Sequence, residues 1–357
     1  MLEEFEDTSK PKGRGKGLIA VGLSVALLGG LVFGGYALVS DSLGDLIARF
    51  QVEDYEGPAG PVVQITIEPG DTGEDVARKL VEADVIKSFE AIYRDMINAN
   101  PTIYPGVYEY PTQIPAAEAL RIMLSNTNKV VVQTTIPEGY TVAEIIPTLI
   151  SDLGLDQAEL LAAIDAARER IPESAPSIEG FLFPATYTFN PGVSSDQVIN
   201  TMLDRMEAEL ADYDFTLKQS QELLTIASIV QLEAMREADF FKIARVFLNR
   251  LDRNIPLQSD PTVKYYYEGS IDSFQQGMAD EENPFNTYYN PGLPPGPISS
   301  PGALAIEAVM RPAEGNWLYF VSINLITGET VFSETLAEHE RAAELYRQWL
   351  RDHPDYD

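Results

Sequence analysis

A chain of 357 residues that is 45% hydrophobic and 22% charged has room for two or three folded units with ordinary cores. Its net charge of −30, from 55 acidic and 25 basic residues, argues against a nucleic-acid partner, because a phosphate backbone needs a basic footprint. The absence of cysteine removes disulfides, thiol nucleophiles and thiolate metal sites, and the only histidines are His339 and His353, the latter in an acidic tail. Carboxylates, hydroxyls and amides are left to do any chemistry.

In chain order, Gly17–Val39 contains no charged residue. At 1.5 Å per residue it extends roughly 34 Å, enough to cross a bilayer core. Lys10, Lys12, Arg14 and Lys16 precede it and Asp41 and Asp45 follow. The positive-inside rule then places 1–16 in the cytoplasm, 17–39 as one uncleaved membrane helix, and everything beyond outside the cell membrane. Residues 40–60 read as a juxtamembrane helix, then a linker broken at Gly57-Pro58-Ala59-Gly60.

A weak internal repeat follows. Ile65-Thr66-Ile67-Glu68-Pro69-Gly70-Asp71-Thr72 matches Thr134-Thr135-Ile136-Pro137-Glu138-Gly139-Tyr140-Thr141. Each copy trails a Val-rich strand and leads into a helix opened by a capping pair, Thr72 with Asp75 and Thr141 with Glu144. The first unit continues with a helix near Ser88–Ile97, a strand at Val107–Tyr110 and a helix near Ala116–Leu124. Residues 61–128 thus resemble the LysM-like module of glycan-binding cell-wall proteins.

Residues 129–357 read as a second, mixed α+β domain, making the whole an α+β protein behind a membrane helix. A helix is predicted near Gln157–Ala167, and Ile178–Tyr187, rich in aromatic and small residues, reads as a packed loop. Helical patterns follow at Val198–Leu210 and, continuously, at Thr216–Leu251. The chain is then Pro- and Gly-rich up to Gly302. It closes with strands at Trp317–Asn324 and Glu329–Ser333, turned at Ile326-Thr327-Gly328, and a helix near Leu336–Arg351.

Glu233 is the residue on which chemistry is expected. It continues the face made by Ile226, Ile229 and Val230 at three- and four-residue spacing. A carboxylate on an apolar stripe is poorly solvated, so its pKa rises and it can hold a proton near neutral pH, as a general acid on a glycosidic oxygen must. Rigid polar loops downstream supply candidate groups for sugar hydroxyls and acetamides.

Taken together the motifs resemble the endolytic murein transglycosylase (YceG-like) family. They are Glu179-Gly180-Phe181-Leu182-Phe183-Pro184 with Thr186-Tyr187, Ala227-Ser228-Ile229-Val230 running to Glu233, and Asn249-Arg250-Leu251. Gln258 with Asp260-Pro261-Thr262-Val263, Asn286-Thr287-Tyr288, and Gly292-Leu293-Pro294-Pro295-Gly296 with Pro301-Gly302 complete the series. The resemblance implies a lytic cut of peptidoglycan glycan strands without cofactor or metal, ending growing strands near the membrane, with cell-wall synthesis proteins as partners. It puts the catalytic carboxylate, the second of a Glu-Lys-Glu stretch, on Glu233. It casts Glu179, Tyr187, Asn249, Gln258, Asp260, Thr262, Asn286 and Tyr288 as substrate-binding or site-orienting. The chain departs from that pattern at Gln231, Leu232 and Ala234. Two alternatives stay open at this stage. One is a hydrolytic muramidase using Asp260, Glu237 or Glu179 as second carboxylate; the other is a non-catalytic wall-binding scaffold.

Overall fold

The computed structural model describes residues 53–354 apart from 100–101, 126 and 268–273. The expected cytoplasmic tail, membrane helix and juxtamembrane helix lie outside the described residues. Among the described residues no helix is long and apolar enough to cross a membrane. The chain divides between Lys129 and Val130 into two compact units, and the fold is mixed α+β.

In the first unit, β1 (Val62–Ile67), β2 (Gly106–Pro111) and β3 (Lys129–Val130) form one sheet in that order, β1 and β2 antiparallel with Ile65 opposite Tyr108. Between β1 and β2 run α1 (Gly73–Glu82) and α2 (Phe89–Ala99), and α3 (Ala116–Ser125) follows β2. The Thr72–Asp75 capping box opens α1. Strand alternation and the helix face agree: Ile65 and Ile67 of β1 pack with Val76, Ala77 and Leu80 of α1 in one core.

The second unit opens with β4 (Val132–Thr135) and α4 (Val142–Leu153), whose capping box is Thr141 with Glu144. Then come α5 (Gln157–Ala167), β5 (Thr186–Phe189), α6 (Ser195–Ala211), α7 (Gln221–Glu233) and α8 (Glu237–Asp252). They are followed by α9 (Asp260–Tyr266), α10 (Phe274–Met278), α11 (Ala303–Met310), the antiparallel pair β6 (Tyr319–Asn324) and β7 (Glu329–Ser333), and α12 (Leu336–Asp352).

Four expectations are corrected here. The continuous helix predicted over Thr216–Leu251 is broken: α7 stops at Glu233, Ala234 takes an extended conformation (φ −84°, ψ 121°), and α8 begins after Arg236. Nothing in Ala234-Met235-Arg236 forbids helix locally, so tertiary packing imposes the break. Next, the apolar stripe of α7 is in fact a buried cylinder: every residue from Leu223 to Val230 is buried. A helix apolar on all sides belongs inside, and α7 packs against α8, α9 and α11. Its buried hydroxyls bond back to the preceding turn, Thr225 to the Gln221 carbonyl (2.7 Å) and Ser228 to that of Thr225 (2.8 Å). Third, the end of the packed loop is a strand, β5, paired antiparallel with β4 so that Thr134 faces Tyr187. Last, the Pro- and Gly-rich stretch contains the helices α9 and α10.

The packed loop itself carries Ile178, Phe181, Leu182 and Phe183 into the core. Gly180 is required there. Its φ is +79°, and a Cβ would lie 2.2 Å from the Cβ of Pro297.

Candidate active site

The end of α7 brings Glu233 out of the core. The residue is half-buried, so a ligand can reach it, yet the surrounding protein pushes its pKa up to about 7. Burial is the main cause, and the neighbouring Asp260 charge adds to it; the Ser259 hydroxyl and the Lys264 and Arg250 cations pull the other way.

Ser259 Oγ donates to Glu233 Oε1 at 2.6 Å. Ser259 occupies the position before α9, with Pro261 in the first turn, where a serine ordinarily caps its own helix. This one makes no such cap. Its place is fixed from behind: its N–H donates to Thr287 Oγ1 (3.0 Å), and its carbonyl accepts from Thr262 Oγ1 (2.6 Å). Thr262 and Thr287 share a further hydrogen bond (2.8 Å). Gln258, just before, holds a positive φ of +53° with its N–H on the Thr287 carbonyl (3.1 Å). Strain of that kind persists only where the surroundings over-determine it.

Asp260 is the second acid beside Glu233. Its Oδ1 accepts from the Tyr288 hydroxyl at 2.5 Å, and burial together with Asp260 holds that phenol protonated, its pKa raised. Buried Arg250 reaches the same corner, donating to the carbonyls of Leu257 (2.8 Å), Pro256 (3.1 Å) and Leu318 (2.6 Å) and to Gln258 Oε1 (3.4 Å).

The loop ending at Gly302 is tied to the same helix end. Ser228 Oγ accepts from the Ile298 N–H (3.1 Å), and Gln231 Oε1 accepts from the Gly302 N–H (2.9 Å). On the other side, Gly139 N–H donates to the Ser300 carbonyl and Ser300 N–H to that of Tyr140, both at 2.8 Å. Gln231 therefore supplies the acceptor for the Gly302 N–H.

The structure sorts the residues singled out from sequence. Asp260, Gln258, Thr262 and Tyr288 gather around the Glu233–Ser259 pair. Asn286 stands behind them, its amide donating to the carbonyls of Gly277 (3.2 Å), Met278 (2.9 Å) and Asp280 (2.9 Å). Asn249 turns to the carbonyls of Gly315 (3.1 Å) and Trp317 (2.9 Å), and the Tyr187 hydroxyl to that of Phe183 (2.5 Å). Their polar atoms hold backbone. Glu179 is buried at the start of α4, its two oxygens accepting from the Val142 N–H (3.2 and 3.0 Å) and one from the Tyr265 hydroxyl (3.3 Å). Burial pushes its pKa up to about 7 against those hydrogen bonds. Ser259, Thr287 and Arg250 are the contributors that residue-by-residue reasoning missed. The available signal was Ser-Asp-Pro, a helix-start pattern whose serine is free to bond elsewhere. Among the described residues no cluster of His, Asp or Glu is arranged to hold a metal ion.

A carboxyl poised near neutrality, fixed through one oxygen by a hydroxyl and open to a ligand, can both give and take a proton. This chain belongs to the YceG-like family, whose sequence profile matches residues 65–345, so the resemblance drawn from its motifs is borne out. Its relatives include the endolytic murein transglycosylase of Bacillus subtilis, 30% identical over 88% of this chain and 91% of that protein. They also include one of the same name from Streptococcus pneumoniae, 32% identical over 89% of this chain and 62% of that longer protein. The crystal structure of a YceG-like protein of Listeria monocytogenes, 30% identical, superposes with a TM-score of 0.51, covering 79% of this chain and 99% of that one.

Proposed function

We propose that the chain is a peptidoglycan lytic transglycosylase in which Glu233 transfers the proton. The observation that carries this reading is the Glu233 carboxyl, held on one oxygen by Ser259 with its pKa pushed up to about 7, in a chain whose relatives bear the transglycosylase name. In the reaction, Glu233 protonates the oxygen between N-acetylmuramic acid and N-acetylglucosamine, and the C1–O bond breaks. The C6 hydroxyl of the muramic acid then closes onto C1 and gives its proton to the same carboxylate. The products are a 1,6-anhydro end and a restored acid, with no water consumed. One carboxyl suffices because the nucleophile is internal, which offsets much of the entropy of a bimolecular attack. Burial chiefly keeps the proton on Glu233 in the resting state, the neighbouring Asp260 adds to that effect, and the Tyr288 hydroxyl holds Asp260.

The same reading covers the rest of the chain. Residues 17–39 anchor it in the cell membrane, 61–128 serve as a LysM-like module, supported by the β-α-α-β order found there, and 129–357 form the catalytic domain outside the membrane. Cutting near the membrane would end nascent strands alongside cell-wall synthesis proteins.

The test is to incubate the full chain with purified peptidoglycan, beside Glu233→Gln, and to analyse the products by mass spectrometry. Products ending in 1,6-anhydro-muramic acid, absent from the variant, are expected. Reducing ends would mean a hydrolase and turn attention to Asp260. Glycan binding without any cleavage would mean a scaffold.

A further inference from the structure

Arg236 lies three positions beyond Glu233, and the residue types between them would let α7 and α8 run together as one helix. We propose that Gly328, at the tip of the β6–β7 hairpin, and the Arg236–Asp239 ion pair are positioning residues for Glu233: they hold the break after it extended, and so keep its carboxyl against Ser259. This rests on the function proposed above.

The ion pair grips the break from the side of α8. Asp239 is 1% exposed in the first turn of that helix, and its two oxygens accept from Arg236 Nε (2.8 Å) and from a terminal guanidinium nitrogen (3.2 Å). The Asp239 N–H donates in turn to the Arg236 carbonyl (2.9 Å). Arg236 is thus pinned by side chain and backbone in an extended conformation (φ −130°, ψ 142°) that a helix cannot include. An exposed pair at this spacing is worth little. Here the acid is buried, so releasing Arg236 would leave a carboxylate away from water without its cation.

The hairpin grips the same residues from outside. Gly328 has a φ of +66°, and a Cβ there would lie 3.0 Å from Arg236 Cγ and 3.2 Å from Met235 Cβ. Only a glycine lets the turn lie this close on the break. The turn is stiff: Asn324 Oδ1 accepts from the N–H groups of Ile326 (2.9 Å) and Thr327 (3.1 Å), and the Gly328 N–H donates to the Asn324 carbonyl (2.9 Å). It is rooted on α8, where Phe320 of β6 meets Phe247 edge to face, 5.9 Å between centroids. The neighbouring Glu329 adds negative charge facing Arg236.

Distance makes the hold matter. Glu233 is the last residue of α7, where helices fray, and its 2.6 Å bond to Ser259 ends with a displacement of about 1 Å. Gln231 is tied to Gly302 on the near side of Glu233. Arg236 and Gly328 supply the hold on the far side.

The experiment uses the full chain with Asp239→Asn, Gly328→Asn and Arg236→Lys. Asparagine tolerates a positive φ, so Gly328→Asn keeps the turn and only pushes a Cβ onto the break. Asp239→Asn and Gly328→Asn should each lower kcat on peptidoglycan about tenfold with KM within about twofold of wild type. Glu233 becomes less buried in both, so the alkaline limb of kcat/KM should move to lower pH, opposite to the effect of losing the Ser259 bond. Arg236→Lys keeps a cation for Asp239 and should lose less. A second readout needs no activity: the melting-temperature gap at pH 8 between each variant and its Glu233→Gln double should be smaller than the gap between wild type and Glu233→Gln, because a less buried carboxyl costs less when ionised. Variants that melt earlier but keep the wild-type kcat and alkaline limb would overturn the proposal, leaving a purely structural pair and turn. So would an unchanged gap. If Asp239→Asn fails to fold, Gly328→Asn decides. Should wild type cut nothing while the gap shrinks as expected, the positioning stands and the enzymatic reading falls.

Discussion

Ser259 and Glu233, 26 positions apart in sequence, meet through a 2.6 Å hydrogen bond in which the hydroxyl donates to Oε1. That bond favours the carboxylate form and so lowers a pKa that burial raises. Removing it with Ser259→Ala should move the pKa of Glu233 further above 7. The general acid must be protonated to act, so activity falls as pH rises through that pKa. In the variant the alkaline limb of kcat/KM should shift to higher pH. At the same time kcat should drop about tenfold because Oε1 is no longer fixed, while KM changes little; Ser259→Thr should restore part of both. A pH–rate profile checks this, and an unmoved alkaline limb would reject it.

A raised carboxyl pKa also has a cost in stability. Glu233 goes from 4.5 to about 7 on folding, so between those values the native state binds more protons than the unfolded chain. Stability contributed by this group is then greatest below pH 4.5 and declines as pH rises to 7, at about 1.4 kcal/mol per unit. Glu233→Gln removes the titration. Its melting temperature should exceed that of wild type at pH 8, with the gap closing toward pH 4.

Gln231 tests what an acceptor at the end of α7 does. Gln231→Glu keeps an acceptor for the Gly302 N–H and should leave activity within about threefold of wild type, a loss worth under about 0.7 kcal/mol. Gln231→Leu leaves that donor without its partner and should cost on the order of 1–3 kcal/mol in denaturant titration.

Gly180→Ala should be among the most damaging single substitutions in the second unit. It combines a φ of +79° with a Cβ only 2.2 Å from Pro297 Cβ and 3.2 Å from the Ser299 carbonyl. A loss of roughly 3 kcal/mol or more is expected in the same titration.

Asn249→Ala should lower the melting temperature by losing its hydrogen bonds to the Gly315 and Trp317 carbonyls, while KM for glycan stays at the wild-type value. A raised KM with unchanged stability would return Asn249 to the substrate.

Local signals carried well from sequence to structure. Both capping boxes, the strand–turn–helix repeat, α5 and the closing β-hairpin depend on residues a few positions apart, and all were readable. Glu233 was readable as a carboxyl on an apolar helix, although the helix is buried on every side. What could not be read were long-range effects. The break after Glu233 contains no proline or glycine, and Ser259 finds Glu233 only once the intervening α8 has folded back. Whether Asn249 and Asn286 bind substrate or orient the site was not legible for a related reason. An amide beside irregular chain looks the same in sequence whether it awaits a sugar or satisfies the carbonyls of that chain.

The corner around Glu233 is stitched from segments far apart in the chain: Ile298 bonds Ser228 across 70 positions and Gly302 bonds Gln231 across 71. Contacts that distant are among the last to form, because loop closure precedes any gain from them. A polypeptide not yet extended to Ile298 lacks both of these hydrogen bonds. The end of α7 that carries Glu233 is therefore held in its final form only by chain made some seventy residues later.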